Sequence, residues 1–260
     1  QKEHTMTATL DPAKLDALLG QMVCDMGAAA AAPLVVIGDR LGLYRELASN
    51  PPMTTAQLAD KTDTTERYIR EWCAAQAGCG YITYHADNNT FSMTTEQAAV
   101  FAHADSPACL IGGYYSIVSM AVDEPKIAHA FRSGEGVGWG EHCNCLFCGV
   151  EKFFRPGYKT NLVSEWLPAL EGVVAKLEAG ATVADVGCGH GASTLVMAQA
   201  FPASKFVGFD FHDASVTCAN SRAKDSGVNN IRFETASAKH FPQAPNGGYE
   251  LVAFFDCLHD

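Results

Sequence analysis

Positive charge is scarce in this 260-residue chain: 18 Lys and Arg stand against 29 Asp and Glu, a formal net charge of −11. Nucleic-acid backbones are bound by clustered cations that displace counterions, so this balance argues against such a surface. Long apolar runs are lacking as well. The longest, Gly27 to Gly38, is interrupted by Pro33 and is too short to span a bilayer, and no secretory signal is visible. The expectation is a soluble cytoplasmic protein, without a membrane partner, whose ten cysteines are thiols. A second C-x-x-C is also missing. His142, Cys143, Cys145 and Cys148 are therefore too cramped for one tetrahedral zinc site and read as isolated thiols, with no metal expected.

Core-forming residues are present in quantity. With 48% hydrophobic residues the chain supports one large or two ordinary domains. Leu15, Leu18, Leu19, Met22, Val23 and Met26 recur at helical spacing, and Leu34, Val35, Ile37, Leu41 and Leu43 continue the theme. Two such helices cap a core or meet a second subunit. Thr54 to Gln57 is a capping box, and Asp63 to Glu66 offers another before Tyr68, Ile69, Trp72 and Cys73. Two short strands, Tyr81 to Tyr84 and Thr90 to Met93, follow around a polar turn. Helix, helix and hairpin make a winged helix. Arg67 and Arg70 are the only cations of its second helix, offset by Glu66 and Glu71, so a dimerisation module is expected over 10–105.

Residues 106–178 read as a helical cover. Leu110 to Val122 and Ala128 to Arg132 are helical, and Ser133 to Gly140 is a glycine-rich lid or connection. Glu151 to Tyr158, EKFFRPGY, suits a cleft wall, although spacing assigns it no chemistry. Asn161 to Glu178 is expected as one amphipathic helix.

Thr182 to Gly191, TVADVGCGHG, is the informative stretch. A β-branched apolar run ends in a glycine turn, and Ala192 to Phe201 follows at helical spacing until Pro202. Lys205 to Asp210 closes a βαβ unit with a carboxylate nineteen residues after Gly191, placed to accept hydrogen bonds from ribose hydroxyls. Gly187, Gly189 and Ala192 also satisfy the dinucleotide pattern G-x-G-x-x-G/A, so a nicotinamide oxidoreductase competes. Asp185 speaks against it, because a carboxylate there repels pyrophosphate and suits a cation. Ala214 to Lys224 reads as a helix, with strands at Ile231 to Thr235 and Tyr249 to Phe255.

VADVGCGHG followed by GFD resembles motif I and the next acidic position of class I S-adenosylmethionine-dependent methyltransferases. The resemblance extends to small-molecule O-methyltransferases with an N-terminal winged helix and to bacterial winged-helix/methyltransferase fusions. It implies an α/β Rossmann-like methyltransferase domain over 179–260, preceded by a mainly α winged-helix domain. It also implies S-adenosylmethionine as cofactor, a small-molecule methyl acceptor and a homodimer. By the same resemblance Asp185, Gly187, Cys188, Gly189, Gly191, Asp210, Phe211, Ser237, Ala238 and Asp256 bind cofactor, with Ser237 where the family often has an acid. The L-H-D triplet Leu258-His259-Asp260 resembles the motif whose histidine deprotonates a substrate hydroxyl, making His259 the expected general base. The family has seven strands in order 3-2-1-4-5-7-6, so about 80 to 100 further residues are expected, at roughly 30 per strand-helix unit. A regulator that binds S-adenosylmethionine without catalysis is the alternative.

Overall fold

A computed structural model describes residues 10–244 and 247–258. The chain opens with α1, Pro12–Arg40, started by Asp11, whose carboxylate accepts from the Ala13 and Lys14 amides at 3.0 and 3.4 Å. Two helices were expected over this stretch and one is found. Pro33 lies inside it and removes a single hydrogen-bond donor, while the preceding run Ala28 to Ala32 offers high helix propensity and no bulk for the ring to strike. By length and composition α1 could cross a membrane. Its second half is nonetheless protein core: Ala31, Ala32, Val35 and Val36 are buried.

Helices α2, Leu43–Ser49, α3, Thr55–Lys61, and α4, Glu66–Gly78, pack with the antiparallel hairpin β1, Thr83–His85, and β2, Thr90–Ser92. The capping box at Thr54 and Gln57 starts α3 as expected, whereas α4 starts at Thr65 without a side-chain cap. Gly38 lets α1 approach this group. A Cβ there would lie 2.6 Å from both Trp72 and Tyr44, and the Trp72 indole donates to the Leu34 carbonyl at 2.8 Å. Helix α5, Thr95–Phe101, has its own capping box at Thr94 and Gln97, which the sequence reading passed over.

The cover comprises α6, Ile111–Ser133, and α7, Asn144–Gly157, which runs on into a π-helical segment, Tyr158–Trp166. The single helix expected from Asn161 to Glu178 is thus divided. Leu167 is still helical before Pro168, and the turn comes at Gly172, with φ of 72°, after which α8, Val173–Ala179, begins. The sheet has strand order β5-β4-β3-β6 and is parallel throughout: β3 is Thr182–Val186, β4 Lys205–Asp210, β5 Ile231–Thr235 and β6 Leu251–Ala253. The paired part of β6 is shorter than the Tyr249 to Phe255 run. Helices α9, Ala192–Ala200, and α10, Asp213–Ser226, make the crossovers. Both central strands are buried almost throughout, which is why they read as continuous apolar runs.

Candidate functional site

The glycine turn leaves β3 at the carboxyl edge of the sheet, where open parallel sheets bind ligands. The Gly187 and Cys188 amides both donate to the Phe209 carbonyl, at 2.7 and 3.1 Å, so the turn is pinned to β4. Gly187, Gly189 and Gly191 have φ of 74°, 53° and 75°, a region that side chains disfavour. At Gly189 a Cβ would meet nothing within 4 Å, because this residue faces an opening.

That opening is a cavity of about 500 Å³. Gly187, Cys188, Gly189, Asp210, Phe211, Ser237, Ala238 and Asp256 line it, as does His190 of the turn. Asp210 is 7% exposed, and each of its oxygens receives one backbone donor: Oδ2 from Gly189 at 2.8 Å, Oδ1 from His212 at 2.9 Å. A carboxylate oxygen can accept twice, so acceptor capacity remains for a ligand. The carboxylate is also oriented before any ligand arrives.

Asp185 and Gly191 are not among the lining residues. Asp185 is fully buried behind the turn, and its Oδ2 accepts from the Ser193 and Thr194 hydroxyls of α9, each at 2.6 Å. Burial pushes its carboxyl up to about 6, against the opposing pull of those two hydroxyls. The other oxygen, Oδ1, is buried without a hydrogen-bond partner. Its visible work is tying β3 to the start of α9. Gly191 opens α9, and a Cβ on it would run into the Phe233 ring. His259 lies outside the described residues.

The opposite wall comes from the cover. Phe147, Val150, Glu151 and Phe154 recur along α7, with Tyr158 one turn further on, so one face of a continuous helical path lines the cavity. Phe147 stacks on His212 at 4.5 Å between centroids, closing cover against sheet, and Tyr158 packs on Phe255 at 5.4 Å. The glycine-rich stretch expected as a connection contributes Trp139, which meets Phe147 edge-on at 5.4 Å. Asp123 anchors that stretch: buried in α6, it accepts from His142 Nδ1 and the Cys143 amide, both at 3.0 Å. The Cys143 amide, followed by Lys126 and His142, holds the Asp123 carboxyl well below the usual range despite burial. His190 is pushed down, first by burial and then by Arg222, and so favours the neutral imidazole. Such tertiary neighbours leave no periodicity in the sequence. Only the aromatic content of EKFFRPGY hinted at this wall.

The three clustered thiols go elsewhere. Cys143 caps α7 by accepting from the Cys145 amide at 3.3 Å, Cys145 accepts from Arg40 at 3.1 Å, and Cys148 is exposed. On the winged helix, Arg70 pairs with Glu66 at 2.9 Å and Arg67 with Glu71, so both cations of α4 carry an acidic partner.

Comparison with known proteins gives two separate matches: residues 29–103 to the Rv2258c-like winged HTH domain, and residues 177–260 to a methyltransferase domain. A tRNA (guanine-N(7)-)-methyltransferase of Edwardsiella ictaluri (strain 93-146) is 39% identical over 75 residues, 28% of this chain and 32% of that protein. The chain therefore spans about a third of that relative. Human N-acetylserotonin methyltransferase, solved with its cofactor SAM, superposes with TM-score 0.63 at 17% identity, covering 98% of this chain and 74% of that one. The mitomycin 7-O-methyltransferase MmcR gives 0.59 at 16%, covering 96% and 74%. At these identities the likeness speaks for the fold: a helical winged domain followed by a Rossmann-like α/β domain. The chain carries a winged helix-turn-helix domain over residues 29–103 and a methyltransferase domain over residues 177–260.

Proposed function

We propose that the protein is an S-adenosylmethionine-dependent methyltransferase that acts on a small-molecule acceptor, with a hydroxyl oxygen as the receiving atom. The observation that carries this reading is Asp210, held by two backbone donors at the end of β4 and facing the same cavity as the glycine turn. Asp210 accepts from the ribose hydroxyls, while Phe211, Ser237 and Ala238 border the adenine and the turn runs under the methionine part. When bound, the cofactor supplies an electrophilic methyl group on a sulfonium.

The chain's own contribution is positioning and exclusion of water. Attack and departure lie in line, and charge disperses as the nucleophile and sulfonium neutralise, so a dry aromatic pocket favours the step. Trp139, Phe147, Phe154, Tyr158 and Phe255 supply that pocket. His259, shortly after β6 in the sequence, would take the proton of the acceptor hydroxyl as general base. Calorimetric titration should give S-adenosylhomocysteine binding and no NAD binding; NAD binding in its place would overturn the reading.

The assembly is proposed to be a homodimer through the N-terminal domain, in a cytoplasmic, reducing setting that suits ten thiols. Leu15, Leu18, Leu19, Met22, Val23 and Met26 are exposed along α1, while the second half of the same helix sits in the winged-domain core. A two-fold contact would cover that face. Sedimentation should return twice the chain mass, and Leu18→Glu with Met22→Glu should halve it; a wild-type monomer would refute the dimer.

A further inference from the structure

Asp185 does not line the cavity, which leaves the carboxylates that do as the acids able to meet the cationic end of a ligand. Three acids line the opening: Glu151, Asp210 and Asp256. Asp210 is held at the ribose position by its two backbone donors. Glu151 stands apart from it, on the cover. Along the face of α7 that meets the cavity, its neighbours are Phe147, Val150 and Phe154, and it is the single charged member of that row. A carboxylate that is only 8% exposed and set among apolar side chains costs free energy unless partners compensate it.

The compensation is partial. Arg222 of α10 and Arg155 of α7 approach the same oxygen, Oε1, at 2.7 and 3.4 Å. Oε1 nonetheless meets the alignment of a hydrogen bond with neither, and is buried without one; close approach and poor alignment coexist here. No side-chain hydrogen bond among the described residues is made by Oε2, and it is not among the fully enclosed oxygens. The arginines thus hold the carboxylate in place by one oxygen and leave acceptor capacity on the other.

We propose that Glu151 is the residue that recognises the α-ammonium of the cofactor's amino-acid end. This rests on the reading of the cavity as an S-adenosylmethionine site. With ribose at Asp210 and adenine beside Ser237 and Ala238, the remaining arm crosses Gly189, where no side chain obstructs it, and ends between His190 of the turn and Glu151 of the cover. His190, in its neutral form, adds no third cation beside Arg155 and Arg222. Glu151 is then a binding residue for the amino-acid end, and its ion pairs with Arg155 and Arg222 position it.

Two nucleosides separate recognition from structure. S-Adenosylhomocysteine carries the amino-acid end, and 5′-deoxy-5′-methylthioadenosine keeps the adenosine and thioether without it. By calorimetry Glu151→Gln should weaken S-adenosylhomocysteine by about tenfold to hundredfold, the value of one charge-assisted hydrogen bond. Methylthioadenosine has no group at Glu151, so its binding should change by less than about twofold, the coupling of sites that do not touch. Equal weakening of both ligands would mark a structural ion pair and overturn the proposal, as would no change in either. A selective loss in Asp256→Asn and not in Glu151→Gln would move the ammonium to Asp256 and likewise overturn it. Should the single variant fail to fold, the charge-balanced Glu151→Gln/Arg222→Gln pair is read by the same two titrations. If the wild-type protein binds neither nucleoside, the methyltransferase reading itself fails, and this proposal with it.

Discussion

Asp210→Ala is expected to weaken S-adenosylhomocysteine binding by more than about a hundredfold. The carboxylate faces the cavity with one acceptor site of each oxygen committed to a backbone donor, Gly189 or His212. Two ribose hydroxyls can take the remaining sites. Hydrogen bonds to a charged group contribute about 1.5–3 kcal/mol each, so losing two costs about 3–6 kcal/mol, a factor of about 10² to 10⁴. The truncation also frees the Gly189 amide, which loosens the turn beneath the ligand. Asp210→Asn keeps the shape and should fall between wild type and alanine. Wild-type affinity in the alanine variant, measured by the same titration, would remove Asp210 from the site.

Gly191→Ala is expected to destabilise the fold by about 2–5 kcal/mol and to abolish ligand binding. Two effects add. At φ of 75° a non-glycine residue carries strain of about 1–2 kcal/mol. The new Cβ would also lie 2.7 Å from Phe233 Cε1 and 3.1 Å from Ala219 Cβ, and overpacking of a filled core costs about 1–3 kcal/mol. Phe233 cannot retreat easily, because its ring also occupies the space over Gly208 of β4, where a Cβ would sit 2.5 Å from Cε1. One aromatic ring therefore fits against two glycines, one in the turn and one in the strand. Adding Phe233→Leu to Gly191→Ala should recover part of the packing loss and none of the backbone strain. Unfolding midpoints in denaturant measure both; a midpoint unchanged in Gly191→Ala would show that the turn yields where it is drawn as rigid.

The sheet half of this architecture could be read directly from the chain. Buried parallel strands are apolar on both faces, so TVADV and KFVGFD stand out without any alignment, and the glycines between strand and helix mark the turn because φ above zero is required there. The Thr54–Gln57 capping box did the same for α3, whereas the one expected at Asp63 to Glu66 is not formed at the start of α4. The misreadings have local causes. Pro33 suggested a break in α1, yet one missing donor in an alanine-rich helix leaves it continuous. The helix expected after Asn161 is split because Gly172 turns the chain, an event that apolar periodicity does not record. Asp185 was expected to meet the cofactor from its place in the motif; in the fold its Oδ2 accepts from the Ser193 and Thr194 hydroxyls of α9, and it does not line the cavity. Trp139 reaches the cavity through contacts between distant segments that nothing in its immediate sequence announces, whereas Glu151 and His190 belong to stretches already read as a cleft wall and the glycine turn.

The chain has three tryptophans, and the fold places them in three different settings. Trp72 is buried in the winged-domain core, Trp166 is 43% exposed in the π-helical segment, and Trp139 lies in the cavity wall against Phe147. Removing the first and second as phenylalanines leaves one indole whose emission depends on what fills the cavity. The architecture thereby comes with its own optical probe, an indole set in the wall of the cavity that a ligand would fill.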